Sequence, residues 1–131
     1  MSKPNPEDRQ YTKDHEWIKI SGNNAVCGVT DHAQELLSDI VFVELPEPGK
    51  KVSAGESLAV LESVKSVSDV YAPLDGEVTE VNAELENAPE LINKDAFGTG
   101  WIVKMTISNP SGVSGLLSAE DYEKYIQESD G

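Results

Sequence analysis

Apolar residues recur at every second position over much of the chain, and glycine, proline or asparagine interrupts each run after a few residues, the pattern of short half-buried strands joined by turns. The run Trp17-Ile18-Lys19-Ile20, the segment Ser21-Gly22-Asn23-Asn24 and the run Ala25-Val26-Cys27-Gly28-Val29 predict strand, four-residue turn and strand, an N-terminal hairpin. Asp31 then precedes Gln34 at capping-box spacing. Ala33, Leu36 and Leu37 share one helical face, which predicts a short helix over about 32–38. The apolar run from Ile40 to Leu45 predicts a further strand, closed by Pro46, Pro48 and Gly49.

From Val52 to Val81 short β-like stretches are punctuated by Gly55, Pro73 and Gly76. Leu58 and Val60 alternate before Lys65, and Val67, Asp69 and Tyr71 alternate after it, so two similar arms flank one lysine. They read as a weak internal duplication suited to a pseudo-symmetric pair of small sheets. The acidic segment 82–95, with Pro89, reads as a loop containing a helical turn. Trp101, Val103, Met105 and Ile107 alternate with Ile102, Lys104 and Thr106, which predicts a strand, and Asn109-Pro110-Ser111-Gly112 breaks it. Ser118 followed by Asp121 opens a helix over about 119–127, with Tyr122, Tyr125 and Ile126 on one face. The expected architecture is one mainly β domain over 1–131, edged by two or three short helices, with frayed tails at 1–10 and 128–131.

Composition narrows the function. A chain of 131 residues forms one domain with a real core. The charge of −14, from 24 acidic against 10 basic residues, opposes binding to nucleic acid phosphates or anionic membrane and favours partners with basic docking surfaces. Arg9 is the only arginine, so the bidentate fork that clamps phosphates is scarcely available. The single cysteine, Cys27, cannot form an intramolecular disulfide, which fits a reducing interior. No run reaches membrane-spanning length, and residues 1–10 carry no apolar signal core. The expected location is the cytoplasm, or the mitochondrial matrix for a mature processed chain.

Among candidate chemistries, Lys65 stands apart. It is the only basic residue between Lys51 and Lys94, an interval that holds nine carboxylates. Its neighbours Ser63-Val64-Lys65-Ser66-Val67-Ser68 are small or β-branched, and such a turn can present a long side chain outward from fixed strands. By residue type alone a solvated lysine at a hairpin tip is the ordinary reading. His15 beside Glu16 is a poor catalytic dyad, because adjacent strand residues point to opposite faces. His15 and His32 lack metal-ligand spacing, and Cys27 in an apolar strand reads as a small core residue.

The segment from Gly49 to Lys65 combines paired glycine turns, an apolar strand and Glu62 three positions before the lysine, and Ala72-Pro73-Leu74-Asp75-Gly76-Glu77-Val78 follows as a returning strand. This resembles the shared pattern of lipoyl and biotinyl domains. Biotin carriers flank the lysine with methionines, whereas Val64 and Ser66 stand here. Lipoyl domains of 2-oxoacid dehydrogenase complexes carry an aspartate before the lysine. The string Glu62-Ser63-Val64-Lys65-Ser66-Val67-Ser68-Asp69 resembles instead the glycine cleavage H proteins. Three distant segments agree: Tyr11 to Trp17, Pro89 to Asn93 with Gly98 to Trp101, and Leu116 to Tyr122. The resemblance spans nearly the whole chain.

That resemblance implies the barrel-sandwich hybrid fold of lipoyl domains, with two small antiparallel sheets, an N-terminal hairpin and a C-terminal helix. It implies lipoic acid in amide linkage to Lys65 and no turnover by the chain itself. The arm would take an aminomethyl group from the pyridoxal-phosphate-dependent glycine decarboxylase (P protein) to the tetrahydrofolate-dependent aminomethyltransferase (T protein). Dihydrolipoamide dehydrogenase (L protein) would then reoxidise it. A lipoate ligase or lipoyltransferase would load the arm, and the carrier would be a monomer. Glu16 and Asp69 match acidic positions lining the cleft in which the loaded arm rests, while Asp14 stands where many family members have serine. Two other readings stay open on the sequence: an H-like protein relaying lipoyl groups to other lipoyl domains, and an unmodified β domain used only for interaction.

Overall fold

The computed structural model of the chain describes residues 5–108 and 115–130. Its strands are β1 (Gln10–Tyr11), β2 (Glu16–Ser21), β3 (Asn24–Val29), β4 (Ile40–Glu44), β5 (Lys51–Val52), β6 (Ser57–Ser63), β7 (Val67–Tyr71), β8 (Gly76–Val81) and β9 (Val103–Ile107). The helices are α1 (Asp31–Leu37), α2 (Glu84–Asn87), α3 (Leu91–Lys94) and α4 (Ala119–Asp130). A six-stranded sheet runs β1-β2-β3-β9-β8-β5 and a three-stranded sheet runs β4-β6-β7, with every pairing antiparallel. Ile18, Leu61, Val78, Leu85, Ile92, Ile102, Val103 and Met105, all at most 1% exposed, belong to the main core. Apolar burial of this kind is the main favourable term in the fold.

The N-terminal hairpin is present, but its loop is tighter than expected: Ser21 pairs with Asn24, leaving Gly22-Asn23 as the turn. The helix near 32–38 is α1, and its cap is Thr30 rather than Asp31. The Thr30 hydroxyl accepts the Ala33 N–H at 3.1 Å, while Gln34 Nε2 donates to Asp31 Oδ1 at 3.1 Å inside the first turn. At the other end Ser118 caps α4 as the sequence implied, accepting the Asp121 N–H at 3.1 Å. Segment 82–95 is more ordered than a loop, because Leu85 and Ile92 drive α2 and α3 into the core. The break at Asn109-Pro110-Ser111-Gly112 lies outside the described residues.

The arms around Lys65 form one long hairpin that contributes to both of the antiparallel sheets expected from the sequence. Lys51 pairs with Glu77 and Val52 with Gly76 at its base; Ser57 pairs with Tyr71 along its length and Glu62 with Val67 near its tip. The base lies in the larger sheet and the tip in the smaller. Gly55, at φ +86, turns the first arm, and its N–H donates to the Ala72 carbonyl at 2.8 Å. Facing keeps simple alternation in β7 and departs from it in β6. In β7 it is Val70 that points inward while Val67 and Asp69 face solvent, and a register shift between Ser57 and Ala59 lets Leu58, Ala59 and Leu61 all be buried.

Among the described residues, 5–10 and 128–130 of the expected tails are ordered against the body or within a helix. Residues 5–10 are held because Gln10 and Tyr11 pair with β2, the Tyr11 hydroxyl donates to the Pro6 carbonyl, and Arg9 lies 4.6 Å from the Trp17 ring centroid while donating to the Phe97 carbonyl at 2.9 Å. A second apolar cluster of Tyr11, Trp17, Ala119 and Tyr122 seats α4, with the two tyrosine rings stacked at 4.9 Å. So anchored, α4 continues through Asp130 instead of ending near 127.

Candidate functional site: an exposed lysine at a hairpin tip

Lys65 sits between β6 and β7, in a turn that its own sequence closes. The Ser63 N–H donates to the Ser66 carbonyl at 2.8 Å, and the Ser63 hydroxyl oxygen accepts the N–H groups of Lys65 and Ser66 at 3.2 and 3.1 Å. A serine hydroxyl satisfying two following backbone donors is what holds such a turn in place without glycine. The turn is also braced from outside, where the Val64 N–H donates to the Asp39 carbonyl at 3.1 Å. The Lys65 side chain is exposed and its Nζ lies 3.4 Å from the Leu36 carbonyl. Among the described residues no ion pair engages it.

Asn93 is the brace that sequence reasoning assigned no role. Its Nδ2 donates to the Ser38 carbonyl at 2.8 Å and to Gln34 Oε1 at 2.9 Å, and its Oδ1 accepts the Ile40 N–H at 2.9 Å. It thereby clamps both sides of Asp39, the residue whose carbonyl holds Val64. Ser38 within this clamp has φ +69, an unfavourable backbone for a non-glycine residue that the surrounding bonds must fix. Asn93 stood among the segments carrying the family resemblance, but only the fold reveals what it touches.

Glu16 and Asp69 both lie at β7, in different surroundings. Glu16 is 2% exposed; Oε1 accepts the Thr12 hydroxyl at 3.1 Å and Oε2 accepts the backbone N–H of Tyr71. Burial pushes its carboxyl up to about 8, against the pull of the Tyr71 N–H, with a further upward contribution from Asp14 and a downward one from Thr12. Asp69, two residues before Tyr71, is exposed on the outer side of β7 and accepts the Ser57 hydroxyl at 3.0 Å. Asp14 is exposed and its N–H donates to the Thr12 hydroxyl at 3.2 Å.

The other candidates fall into structural roles. His15 belongs with α4: its Nδ1 lies 2.8 Å from the Tyr122 hydroxyl, and its ring centroid is 4.8 Å from that of His32. Cys27 is buried 3.7 Å from the Met105 sulfur, and burial pushes its thiol far above the usual range, which leaves it unreactive. Among the described residues no group of three or more His, Cys, Asp or Glu side chains is arranged to hold a metal ion. A shallow cavity of about 340 Å³ between Lys19, Val26, Lys104 and Met105 lies on the larger sheet and includes no residue of the lysine turn.

Two antiparallel sheets sharing one core, with an exposed lysine presented at a braced hairpin tip, define the class of lipoyl-domain-like carriers. Residues 9–129 match the model of the family described as Glycine cleavage H-protein. The chain is 52% identical over 123 residues to the glycine cleavage system H protein of Carboxydothermus hydrogenoformans, covering 94% of this chain and 95% of that protein. It is likewise 52% identical over 124 residues to that of Pseudoalteromonas translucida, covering 94% and 96%. The crystal structure of a glycine cleavage system H protein from Mycobacterium marinum superposes with a TM-score of 0.84 at 40% identity, covering 97% of this chain and 100% of that one.

The chain belongs to the glycine cleavage H-protein family. It is a barrel-sandwich lipoyl carrier rather than an enzyme, and the family carries lipoate covalently on a lysine. Its function is to take the aminomethyl cargo from the P protein to the T protein and to be reoxidised by the L protein.

Proposed function

We propose that Lys65 is the lysine that bears the lipoyl group, in amide linkage, within a single carrier domain spanning 1–131. The observation that carries the reading is the lysine's setting: an exposed ammonium, in no ion pair among the described residues, on a turn held by Ser63 from within and by Asp39 from without. Such a residue is accessible to a ligase and has a fixed base from which a long arm can swing. When bound, the lipoyl group supplies a redox-active dithiolane. The residues of this chain do the rest, positioning the base of the arm and keeping it available to successive sites at high effective concentration.

In this reading the two carboxylates have different roles. Asp69, exposed and on the strand that leaves the turn, supplies negative charge for a cationic cargo. Glu16, neutral near pH 7 with its carboxyl raised to about 8, holds the Tyr71 backbone and thereby the course of β7. Loading falls to a lipoate ligase or lipoyltransferase. The carrier acts as a monomer, since two copies each bearing −14 repel. The bacterial relatives and the lone buried thiol support a cytoplasmic location.

The test is glycine and labelled bicarbonate exchange by the P protein, with this chain as carrier. Lipoylated wild type supports exchange and Lys65→Arg, which cannot accept the amide, supports none. Exchange retained by Lys65→Arg overturns the assignment, and a lipoylated carrier that supports no exchange favours lipoyl relay.

A further inference from the structure

Tyr122 on α4 is a fully buried phenol whose ring stacks on Tyr11 at 4.9 Å, a contact that phenylalanine would make as well. Its hydroxyl makes two further contacts that packing does not require, 2.8 Å to His15 Nδ1 and 2.7 Å to Thr30 Oγ1. Burial pushes that hydroxyl far above its ordinary range, so it keeps its proton, and one proton with two lone pairs serves both neighbours. Each neighbour begins a connection that ends on the hairpin carrying Lys65.

Thr30 begins the first. Its hydroxyl caps α1 by accepting the Ala33 N–H at 3.1 Å. The helix, about two turns and about 10 Å long, ends at the lysine turn. There the Leu36 carbonyl lies 3.4 Å from Lys65 Nζ, and the Asp39 carbonyl accepts the Val64 N–H at 3.1 Å. His15 begins the second. The next residue is Glu16, whose carboxyl takes the Tyr71 N–H on the strand that leaves the turn. The Thr30 N–H donates to the His15 carbonyl at 3.0 Å, which ties the two starting points together.

The backbone marks the same connection. Among the described residues the non-glycine positions in the left-handed region are His15, at φ +63, and Ser38, at φ +69. Such backbone persists only where its surroundings dictate it. These two stand at opposite ends of α1, His15 held by Tyr122 and Thr30, and Ser38 held by Asn93 beside the lysine turn.

We propose that Tyr122 is a positioning residue for the arm: through its hydroxyl the C-terminal helix fixes the seat of Lys65, by way of α1 at the turn and by way of Glu16 at β7. The proposal rests on Lys65 being the attachment site. A root held at both points is already ordered when the arm enters an enzyme. Without the hydroxyl the root must be ordered at each encounter, which weakens association and leaves the chemistry at the far end of a seated arm unchanged.

The experiment compares three variants. Tyr122→Phe keeps the ring and removes the hydroxyl. Tyr11→Phe removes the hydroxyl of the stacking partner, which donates to the Pro6 carbonyl and belongs to neither connection. His15→Asn suits left-handed backbone and interrupts the second connection alone. Residue-resolved amide exchange is followed on the unmodified chains. Tyr122→Phe should accelerate Val64 and Tyr71 about tenfold relative to the core amides of Val78 and Ile102, His15→Asn should accelerate Tyr71 alone, and Tyr11→Phe neither. Wild-type ratios in Tyr122→Phe overturn the proposal, and so does equal acceleration at all four amides, the mark of a purely structural role. Should Tyr122→Phe fail to fold, His15→Asn decides, and an unchanged Tyr71 overturns the connection through β7. Combining Tyr122→Phe with Asn93→Ala should accelerate Val64 by less than the product of the single effects; a full product overturns the connection through α1.

P-protein exchange is then measured against concentration of carrier shown by intact mass and peptide mapping to be fully lipoylated on Lys65. Tyr122→Phe should raise the KM for the carrier about threefold or more at a kcat within about twofold of wild type. An unchanged KM overturns the positioning role. A modification absent from Lys65 overturns the attachment reading instead, and amide exchange, which needs no lipoyl group, separates the two failures.

Discussion

Glu16 on β2 and Tyr71 on β7 are joined by a hydrogen bond from the Tyr71 backbone N–H to a carboxyl oxygen of Glu16. The bond links the six-stranded sheet to the three-stranded one, on the strand that descends from Lys65. The acidic residue that the family pattern places in the cleft is therefore also a structural tie, and its burial raises its carboxyl to about 8.

That tie gives stability a signed dependence on pH. In the unfolded chain Glu16 ionises near 4.5, whereas the native carboxyl keeps its proton up to about 8. Between those values the native state binds more protons than the unfolded state, so this contribution is complete below 4.5 and is lost as pH rises towards 8. The loss approaches ~1.4 kcal/mol per pH unit within the window. Glu16→Gln keeps an acceptor for Tyr71 and cannot ionise, so its stability relative to wild type should rise steadily from pH 5 to pH 8 in urea unfolding. Parallel curves for the two proteins would contradict the burial argument.

Asp69 should behave differently, being exposed. Asp69→Asn is expected to leave stability nearly unchanged and to speed the loss of labelled cargo from the loaded carrier by several-fold, the scale of an exposed ion pair worth up to about 1 kcal/mol. The readout is the rate at which label leaves carrier isolated from its enzymes. An unchanged rate removes Asp69 from the cargo's surroundings.

The elements of the fold were legible wherever a side chain announces its own geometry. Ser118 capped its helix as read, and the alternation from Val103 to Ile107 became β9. Contacts between distant segments were not legible. Nothing local to Arg9 tells that it will lie over Trp17 and hold residues 5–10 against the body, and nothing local to Thr30 favours it over Asp31 as a cap. The joint burial of Leu58, Ala59 and Leu61 depended on a register shift, which a strict period of two cannot anticipate. At the site, acidic isolation singled out Lys65, but its braces at Ser63 and Asn93 and the burial of Glu16 are properties of the assembled molecule.

Asn93 tests the external brace. Asn93→Ala removes three hydrogen bonds and leaves the Ile40 N–H and Ser38 carbonyl without their side-chain partner. The expected cost is about 1–3 kcal/mol, the usual range for stranding buried polar groups. Amide exchange should accelerate most at Ile40 and Val64, with the Ser63 turn itself retained. Uniform acceleration across the core would show a general loss of stability instead of a local release of the lysine turn.

Gly76 tests the base of the hairpin. A Cβ at this position would lie 2.1 Å from the Thr106 carbonyl oxygen and 2.6 Å from Met105 Cε. Backbone cannot yield to that contact without separating β8 from β9, so Gly76→Ala should destabilise the protein by about 2 kcal/mol or more. Thermal unfolding measures it, and a wild-type midpoint would contradict the packing described at this junction.

The assignment of Lys65 is tested most directly by incubating the purified chain with lipoate, ATP and a lipoate ligase, then measuring intact mass and mapping the modified peptide. One lipoyl-sized addition is expected, located on Lys65 and absent from Lys65→Arg. An addition on any other lysine, or none on a folded chain exposed to an active ligase, contradicts it.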